Sequence, residues 1–330
     1  MEMFYNIILL ILGMVLLIKG ADFFVDGSSK IAKAMKISPL IIGLTLVSIG
    51  TSLPELSVSV NSAIQGKNDM SFGNVIGSNI FNVLVVVGFS ALFAPMIVQK
   101  SMYKYDIPIL IGIYVLLFLF AFLISPNVLQ LWESIVLFVL FISYIVFLVI
   151  RNKKETNSQE TIKEEDKKRK WYINVLFVLI GMAGIIFGGE LVVNSASDIA
   201  LKLGMSELLV GLTIVSVGTS LPELVTSIVA AKKGENDIAV GNAIGSSIFN
   251  VLLILGLSSI IRPIEIAWTS MVDVIIMTLS AVLIFVFAFK SYKISKLKGS
   301  VLLILYAIYL TCIILRNVYP EWFNWLVYIL

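Results

Sequence analysis

Long apolar runs separated by short polar segments dominate the chain from end to end. Each run is about 20 residues long, the length of helix that crosses the hydrocarbon core of a bilayer. The strands of a transmembrane barrel would instead alternate in polarity over about 10 residues. The pattern therefore predicts an all-α integral membrane protein with ten transmembrane helices. The predicted spans are 4–24, 38–63, 70–95, 105–124, 129–150, 171–197, 207–231, 238–261, 268–290 and 299–317.

An internal duplication is the second regular feature of the chain. The segment 43–88 recurs without a gap as 211–256, and 28 of its 46 residues are identical in the two copies. Five predicted spans fall in each half, so the second copy must insert upside down relative to the first. The sequence thus predicts two inverted five-helix repeats, a design common in secondary transporters. They cover 1–150 and 171–330 and are joined by a polar linker at 151–170.

The charged residues report the topology. The chain is 59% hydrophobic and 14% charged, with a net charge of +3, and five loops with their flanks hold 19 of its 24 Lys and Arg residues. These loops are 28–37, 96–104, 151–170, 232–236 and 291–298. The positive-inside rule places them in the cytoplasm and both termini outside. We expect a multi-pass protein of the cell membrane, embedded in lipid, functional as a monomer and without a basic face for nucleic acid.

In each copy, polar residues recur three or four positions apart in two successive predicted spans, and each of these two sets would form one stripe on a continuous helix. The part of each copy that lies in its first predicted span carries one acid, Glu55 or Glu223, and no Lys or Arg to pair with it. A carboxylate buried in a bilayer is costly and indicates a cation, a proton or a partner. We therefore expect one central site built by both halves. The stripes contain Ser48, Thr51, Ser52, Glu55, Ser59, Asn74, Ser78 and Asn82, and then Ser216, Thr219, Ser220, Glu223, Ser227, Asn242, Ser246 and Asn250.

A proline interrupts the first stripe of each copy. Pro54 removes a backbone donor, so carbonyl groups near Gly50 and Thr51 are expected to be free of helical hydrogen bonds. Irregular backbone within a membrane is tolerated where it lines a cavity. We expect spans two, three, seven and eight to be central. The predicted breaks in these four spans are near Thr51, Ser78, Thr219 and Ser246.

The candidate ligands are all oxygen atoms. The chain has no His, and its one cysteine, Cys312, lies alone in the last span. Zinc, copper, haem and iron–sulfur sites need nitrogen or sulfur donors and are therefore excluded. Calcium, sodium and magnesium remain, and calcium accepts flexible oxygen cages best. We expect transported cations and no resident cofactor. The absence of His also argues against an intramembrane enzyme, whereas a channel is a less favoured alternative class.

The motifs GTSLPEL and GNVIGSNIFN, repeated as GTSLPEL and GNAIGSSIFN, resemble the paired alpha repeats of the cation/calcium antiporter superfamily. They are most similar to its sodium/calcium exchanger branch and prokaryotic relatives. The resemblance implies Ca²⁺ exchanged for Na⁺ by alternating access, with Glu55 and Glu223 coordinating Ca²⁺. The backbone carbonyl oxygens of Thr51 and Thr219 would also coordinate Ca²⁺. The Na⁺ sites would be lined by Ser52, Ser78, Ser220 and Ser246 and by the Ser48 and Ser216 carbonyls, with Asn82 and Asn250 flanking the centre.

One departure from the superfamily pattern bears on coupling. Some relatives carry Asp at one of the positions of Asn82 and Asn250, and potassium-dependent members resemble that pattern, whereas both residues are Asn here. We therefore expect exchange that does not need K⁺. Glu55 and Glu223 give the site a charge of −2, which one Ca²⁺ neutralises and three Na⁺ exceed by one. We therefore expect electrogenic exchange of about three Na⁺ per Ca²⁺. A Ca²⁺/H⁺ antiporter is the alternative, although proton-coupled members usually lack the TSLP sequence found here.

Overall fold

The protein was analysed as a computed structural model that describes residues 2–156, 171–205, 210, 213–214 and 216–319. Within these residues the chain is almost entirely helical, and its four strands have two residues each. We number the helices in chain order and include π-helical turns in the helix they continue. The helices are α1 Glu2–Met35, α2 Pro39–Thr51, α3 Leu53–Gln65, α4 68–93, α5 Met102–Ile124, α6 Leu131–Thr156, α7 Trp171–Lys202, α8 Ser216–Gly218, α9 Leu221–Lys232, α10 Asn236–Ile261, α11 Ser270–Ala288 and α12 Lys296–Val318.

Eight of the described helices are long and apolar enough to cross a membrane, and the bent pair α2–α3 makes a ninth if it is counted as one span. The chain is therefore a helical membrane protein. The predicted seventh span, 207–231, falls partly outside the described residues. The count of ten spans and the inverted relation of the halves remain predictions. The predicted linker 151–170 is described as far as 156, where α6 ends.

The predicted loop at 28–37 is mostly helix, which corrects the sequence interpretation. α1 continues through the predicted end of the first span and stops at Met35. No proline interrupts the chain before Pro39, and the polar residues of this stretch can extend a helix beyond the apolar layer. The basic residues Lys30 and Lys33 therefore lie on the last turns of a long helix.

The two longest helices, α1 and α7, pack closely along their lengths. A Cβ atom added at Gly20 would lie 2.8 Å from the carbonyl oxygen of Gly181, and one added at Gly13 would lie 2.9 Å from that of Gly188. Glycine permits this approach because it brings two helix backbones together without a side chain between them. Residues later in α1 contact residues earlier in α7, so the two helices run antiparallel.

Helices α4 and α10 form the shielded centre of the molecule. In the most apolar segment of each helix, 83% of the residues of α4 and 78% of those of α10 are buried. The corresponding share is 28% in both α1 and α7. The second stripe of each duplicated segment lies on these two helices. The polar residues of the duplicated motifs are therefore placed where protein, rather than lipid, surrounds them.

Two short strand pairs connect the first half of the chain to the second. Strand β1, Met96–Ile97, pairs antiparallel with β4, Lys293–Ile294, and β2, Val128–Leu129, pairs antiparallel with β3, Ile264–Glu265. Each pair follows or precedes long helices, so backbone hydrogen bonds tie the helix connections of the two halves together.

Two ion pairs, one buried and one partly buried, fasten peripheral helices to each other. Arg151 of α6 donates to both carboxylate oxygens of Asp106 on α5, at 3.0 and 2.8 Å, and Tyr144 donates to the same carboxylate at 3.1 Å. Such a pair offsets the cost of burying a carboxylate away from water. The second half has the same three residue types in contact between α11 and α12. These residues are Asp273, Tyr309 and Arg316.

We expect Arg151→Met to lower the free energy of unfolding by about 3–5 kcal/mol, because Asp106 would lose its buried charge partner. Adding Asp106→Asn should recover much of the loss, since the remaining group is neutral. Thermal unfolding of the purified protein in detergent measures both effects. Equal destabilisation in the single and the double variant would contradict the structural role of this pair.

Candidate functional site

The duplicated GTSLPEL segments break their helices at a serine. Ser52 has φ −85° and ψ 9°, and the chain bends by 49° between α2 and α3. Pro54 has no N–H group, so the carbonyl of Gly50 cannot receive the usual helical hydrogen bond from it. The second copy repeats the conformation at Ser220, with φ −93° and ψ 4° before α9. The predicted breaks near Thr51 and Thr219 are therefore present.

The two acids of the motifs occupy equivalent positions directly after these breaks. Glu55 lies in the first turn of α3 and Glu223 in the first turn of α9, and both side chains are 0% exposed. The positive end of a helix dipole favours negative charge at such a position. Within the described part of the chain, neither carboxylate forms an ion pair with Lys or Arg.

Each glutamate is contacted by the break serine of the other half. Ser220 donates a hydrogen bond to Glu55 Oε1 at 3.0 Å, and Ser52 donates to Glu223 Oε1 at 2.8 Å. The hydroxyls of Ser220 and Ser78 are also 3.0 Å apart. The structure therefore brings the two carboxylates into one polar cluster, in which the halves of the chain exchange contacts reciprocally.

The remaining residues of the predicted site extend this cluster. Thr51 Oγ1 lies 3.4 Å from Ser246 Oγ, and the two hydroxyl oxygens lie 3.3 and 3.4 Å from the carbonyl oxygen of Ser48. Ser246 also approaches Glu223 Oε1 at 3.5 Å. The hydroxyl of Ser48 bonds its own helix at Thr45, as membrane Ser residues commonly do. Ser216 begins α8, but its side chain lies outside the described residues.

The predicted breaks near Ser78 and Ser246 are wrong. Helices α4 and α10 remain helical through both serines and turn π-helical over Asn82–Val86 and Asn250–Leu255. Neither helix contains a proline that would remove a backbone donor, so the backbone widens by a π turn instead of breaking. Such π-helical turns occur frequently at functional sites.

Several buried polar atoms of the site have no hydrogen-bond partner among the described residues. They are Oε2 of Glu55 and Glu223 and both amide atoms of Asn82 and Asn250. A buried polar group left unpaired costs about 1–3 kcal/mol. The same atoms recur in both halves, which argues against chance. Carboxylate and amide oxygens of this kind can bind a hard cation such as Ca²⁺ or Na⁺.

Asn74 and Asn242 are site residues that the sequence interpretation did not include among the ligands. Asn74 donates to the carbonyl of Glu55 at 3.3 Å, and Asn242 donates to the carbonyl of Glu223 at 3.2 Å. Their four-residue spacing from Ser78 and Ser246, repeated in both copies, was the available signal. The spacing places an amide beside the acidic helix but does not say which atoms it contacts.

The glycines of α10 pack closely against the first half of the chain. A Cβ atom added at Gly241 or Gly245 of α10 would come within 3.0 or 2.8 Å of atoms of α2. At the equivalent Gly73 and Gly77 of α4, it would meet no described atom within 4 Å. Gly73 is exposed and Asn74 half-buried. The close contact with α2 is therefore described for α10, whereas the corresponding segment of the second half, 207–219, lies largely outside the described residues.

A helical membrane protein with a buried, all-oxygen cluster around two carboxylates has the features of an ion carrier. Comparison with known proteins gives the class. The family described as sodium/calcium exchanger protein matches residues 5–150 and 173–315. The chain therefore belongs to the sodium/calcium exchanger protein family, within the cation/Ca²⁺ antiporter superfamily, and the resemblance seen in its motifs is confirmed.

Individual relatives cover most of the chain. The inner membrane protein YrbG of Escherichia coli is 38% identical over 269 residues, which are 78% of this chain and 80% of that protein. The sodium/calcium exchanger MaX1 of Methanosarcina acetivorans is 34% identical over 340 residues, covering 92% and 97%. The structure of the sodium-calcium exchanger NCX_Mj soaked with 10 mM Na⁺ and zero Ca²⁺ matches with a TM-score of 0.80 and 33% identity, covering 93% of this chain and 98% of that one.

Proposed function

We propose that the protein exchanges Ca²⁺ for Na⁺ across the cell membrane by alternating access. The observation that carries the proposal is the reciprocal contact of Ser52 with Glu223 and of Ser220 with Glu55. It joins two buried carboxylates, one from each half, in a cluster of oxygen atoms. The names of the relatives MaX1 and NCX_Mj support Na⁺ and Ca²⁺ as the transported ions.

In this proposal Glu55 and Glu223 bind Ca²⁺ together with the carbonyls of Thr51 and Thr219. Their unpaired Oε2 atoms supply ligands of the kind that Ca²⁺ takes at about 2.3–2.6 Å. Na⁺ ions bind on either side of this position and share its oxygens, so the two ions compete. The proposed Na⁺ ligands are Ser52, Ser78, Ser220 and Ser246 and the carbonyls of Ser48 and Ser216, and the amides of Asn82 and Asn250 flank the centre.

The proposed architecture has ten transmembrane helices in two inverted repeats that act as a monomer. The antiparallel packing of α1 and α7, the first described helix of each half, supports the inversion. The basic loops support a cytoplasmic linker at 151–170 and external termini.

Charge balance sets the proposed coupling. The two glutamates give the site a charge of −2, which one Ca²⁺ or two Na⁺ neutralise. A third Na⁺ would leave a charge of +1 and make the exchange electrogenic. The serine hydroxyls around the carboxylates supply oxygen atoms for a further ion, and neutral Asn82 and Asn250 remove the extra negative charge that a K⁺ site would use. We therefore propose about three Na⁺ per Ca²⁺ without K⁺.

We expect Glu55→Gln and Glu223→Gln each to abolish Na⁺-dependent ⁴⁵Ca²⁺ uptake into proteoliposomes, because each removes a charged ligand. Asp22→Asn is the matched control. Its carboxylate forms a partly exposed ion pair with Lys233 at 2.6 Å, so its loss should slow transport without abolishing it. Uptake near the wild-type rate in either glutamine variant, at equal protein incorporation, would reject the ligand assignment.

We expect an inside-negative potential to drive Ca²⁺ out, because each net charge moved gains about 2.3 kcal/mol per 100 mV. The measurement is Na⁺-dependent Ca²⁺ flux in liposomes whose membrane potential is set by K⁺ gradients and valinomycin. The measurement is repeated without K⁺, with the membrane potential set by a proton gradient instead. Flux that does not respond to voltage would support two Na⁺ per Ca²⁺ instead. Ca²⁺ flux that follows a pH gradient in the absence of Na⁺ would establish the Ca²⁺/H⁺ alternative.

A further inference from the structure

Asn242 of α10 joins three parts of the site through one side chain. Its Nδ2 donates to the backbone carbonyl of Glu223 at 3.2 Å and to the hydroxyl of Ser227, one turn further along α9, at 3.0 Å. Its Oδ1 accepts a hydrogen bond from Thr51 Oγ1 at 2.9 Å. One amide therefore holds the first turn of the helix that carries Glu223 and, at the same time, the helix break of the other half.

Asn74 of α4 forms the equivalent contacts with the two halves of the chain interchanged. Its Nδ2 donates to the carbonyl of Glu55 at 3.3 Å and to Ser59 Oγ at 3.0 Å. Its Oδ1 accepts from Thr219 Oγ1 at the longer distance of 3.5 Å. Each of the three contacts of Asn242 thus has a counterpart at Asn74. In both cases the amide nitrogen donates within its own half of the chain, and the amide oxygen accepts from the other half.

We propose that Asn74 and Asn242 are positioning residues that set the size of the cation cage and hence its choice between ions. This inference rests on the proposed function. Each amide fixes the spacing between a carboxylate-bearing turn and the threonine whose carbonyl is the proposed Ca²⁺ ligand. Neither amide contacts the ion. Residues that orient ligands in this way commonly change metal affinity by about 10–100-fold when they are replaced.

The two amides should not contribute equally. Asn242 is 0% exposed and its bond across the halves is 2.9 Å, whereas Asn74 is half-buried and its bond is 3.5 Å. A short bond within a buried cluster constrains the cage more than a long one beside an exposed glycine. We therefore expect substitutions of Asn242 to have the larger effect on ion selectivity in the described conformation.

The decisive variant is Asn242→Asp, which keeps the shape of the side chain but places an oxygen against the Glu223 carbonyl. We expect its KM for Ca²⁺ to rise about tenfold and its preference for Ca²⁺ over the larger Sr²⁺ to fall by about threefold or more. Asn74→Asp should change the KM for Ca²⁺ and the ion preference in the same direction, but by smaller factors. The control Asn61→Asp, an exposed residue of α3, should transport both ions like the wild type.

The measurement is Na⁺-driven uptake of Ca²⁺ and of Sr²⁺ into proteoliposomes containing the full chain. A lower maximal rate with unchanged KM and unchanged Ca²⁺/Sr²⁺ preference in Asn242→Asp would show a merely structural role and overturn the proposal. If that variant does not fold, Thr51→Val removes the same bond across the halves while keeping the Thr51 carbonyl, and the same shift in preference is expected. A Thr51→Val protein with wild-type preference would also overturn it.

A second outcome separates this inference from the proposed function. If the wild-type protein shows no Na⁺-driven uptake of Ca²⁺, the proposed function fails and the selectivity argument fails with it. If the wild type exchanges Na⁺ for Ca²⁺ but the Asn242 and Thr51 variants keep its ion preference, the inference alone is rejected.

Discussion

Two carboxylates buried at the centre of a membrane protein impose the constraint on which the rest of the structure depends. Glu55 and Glu223 are fully shielded, and the described residues offer them hydroxyl groups rather than basic side chains. A charge in such a place is stable only if its surroundings or a bound cation offset the loss of water. The helix breaks supply part of this stabilisation, because each glutamate lies in a first helical turn, where the helix dipole favours negative charge.

The peripheral acids show the contrasting solution. Asp106 and Asp273 are also buried, but each is joined to an arginine of the neighbouring helix and to a tyrosine. Those charges are neutralised permanently and fasten one helix to another. Among the described residues the central glutamates have no basic partner, which is why we propose them as ligands of the transported cations. The peripheral and the central acids therefore differ in the groups that face the carboxylate, not in their burial.

Duplication determines how the central charges are shared. Because each break serine donates to the glutamate of the other half, neither half forms the cluster alone. The same exchange recurs at Thr51 and Asn242, and more weakly at Thr219 and Asn74.

The sequence by itself determined the membrane class, the duplication and the stripes of polar residues, because hydropathy and helical spacing are local properties. It also predicted the breaks at Thr51 and Thr219, since proline acts on its own turn. The breaks predicted near Ser78 and Ser246 lacked this local signal, because neither α4 nor α10 contains a proline. The tertiary structure decided which half each hydroxyl of the site contacts and at what distance. Those outcomes depend on packing between helices about 170 residues apart in the chain, which spacing within one helix does not encode.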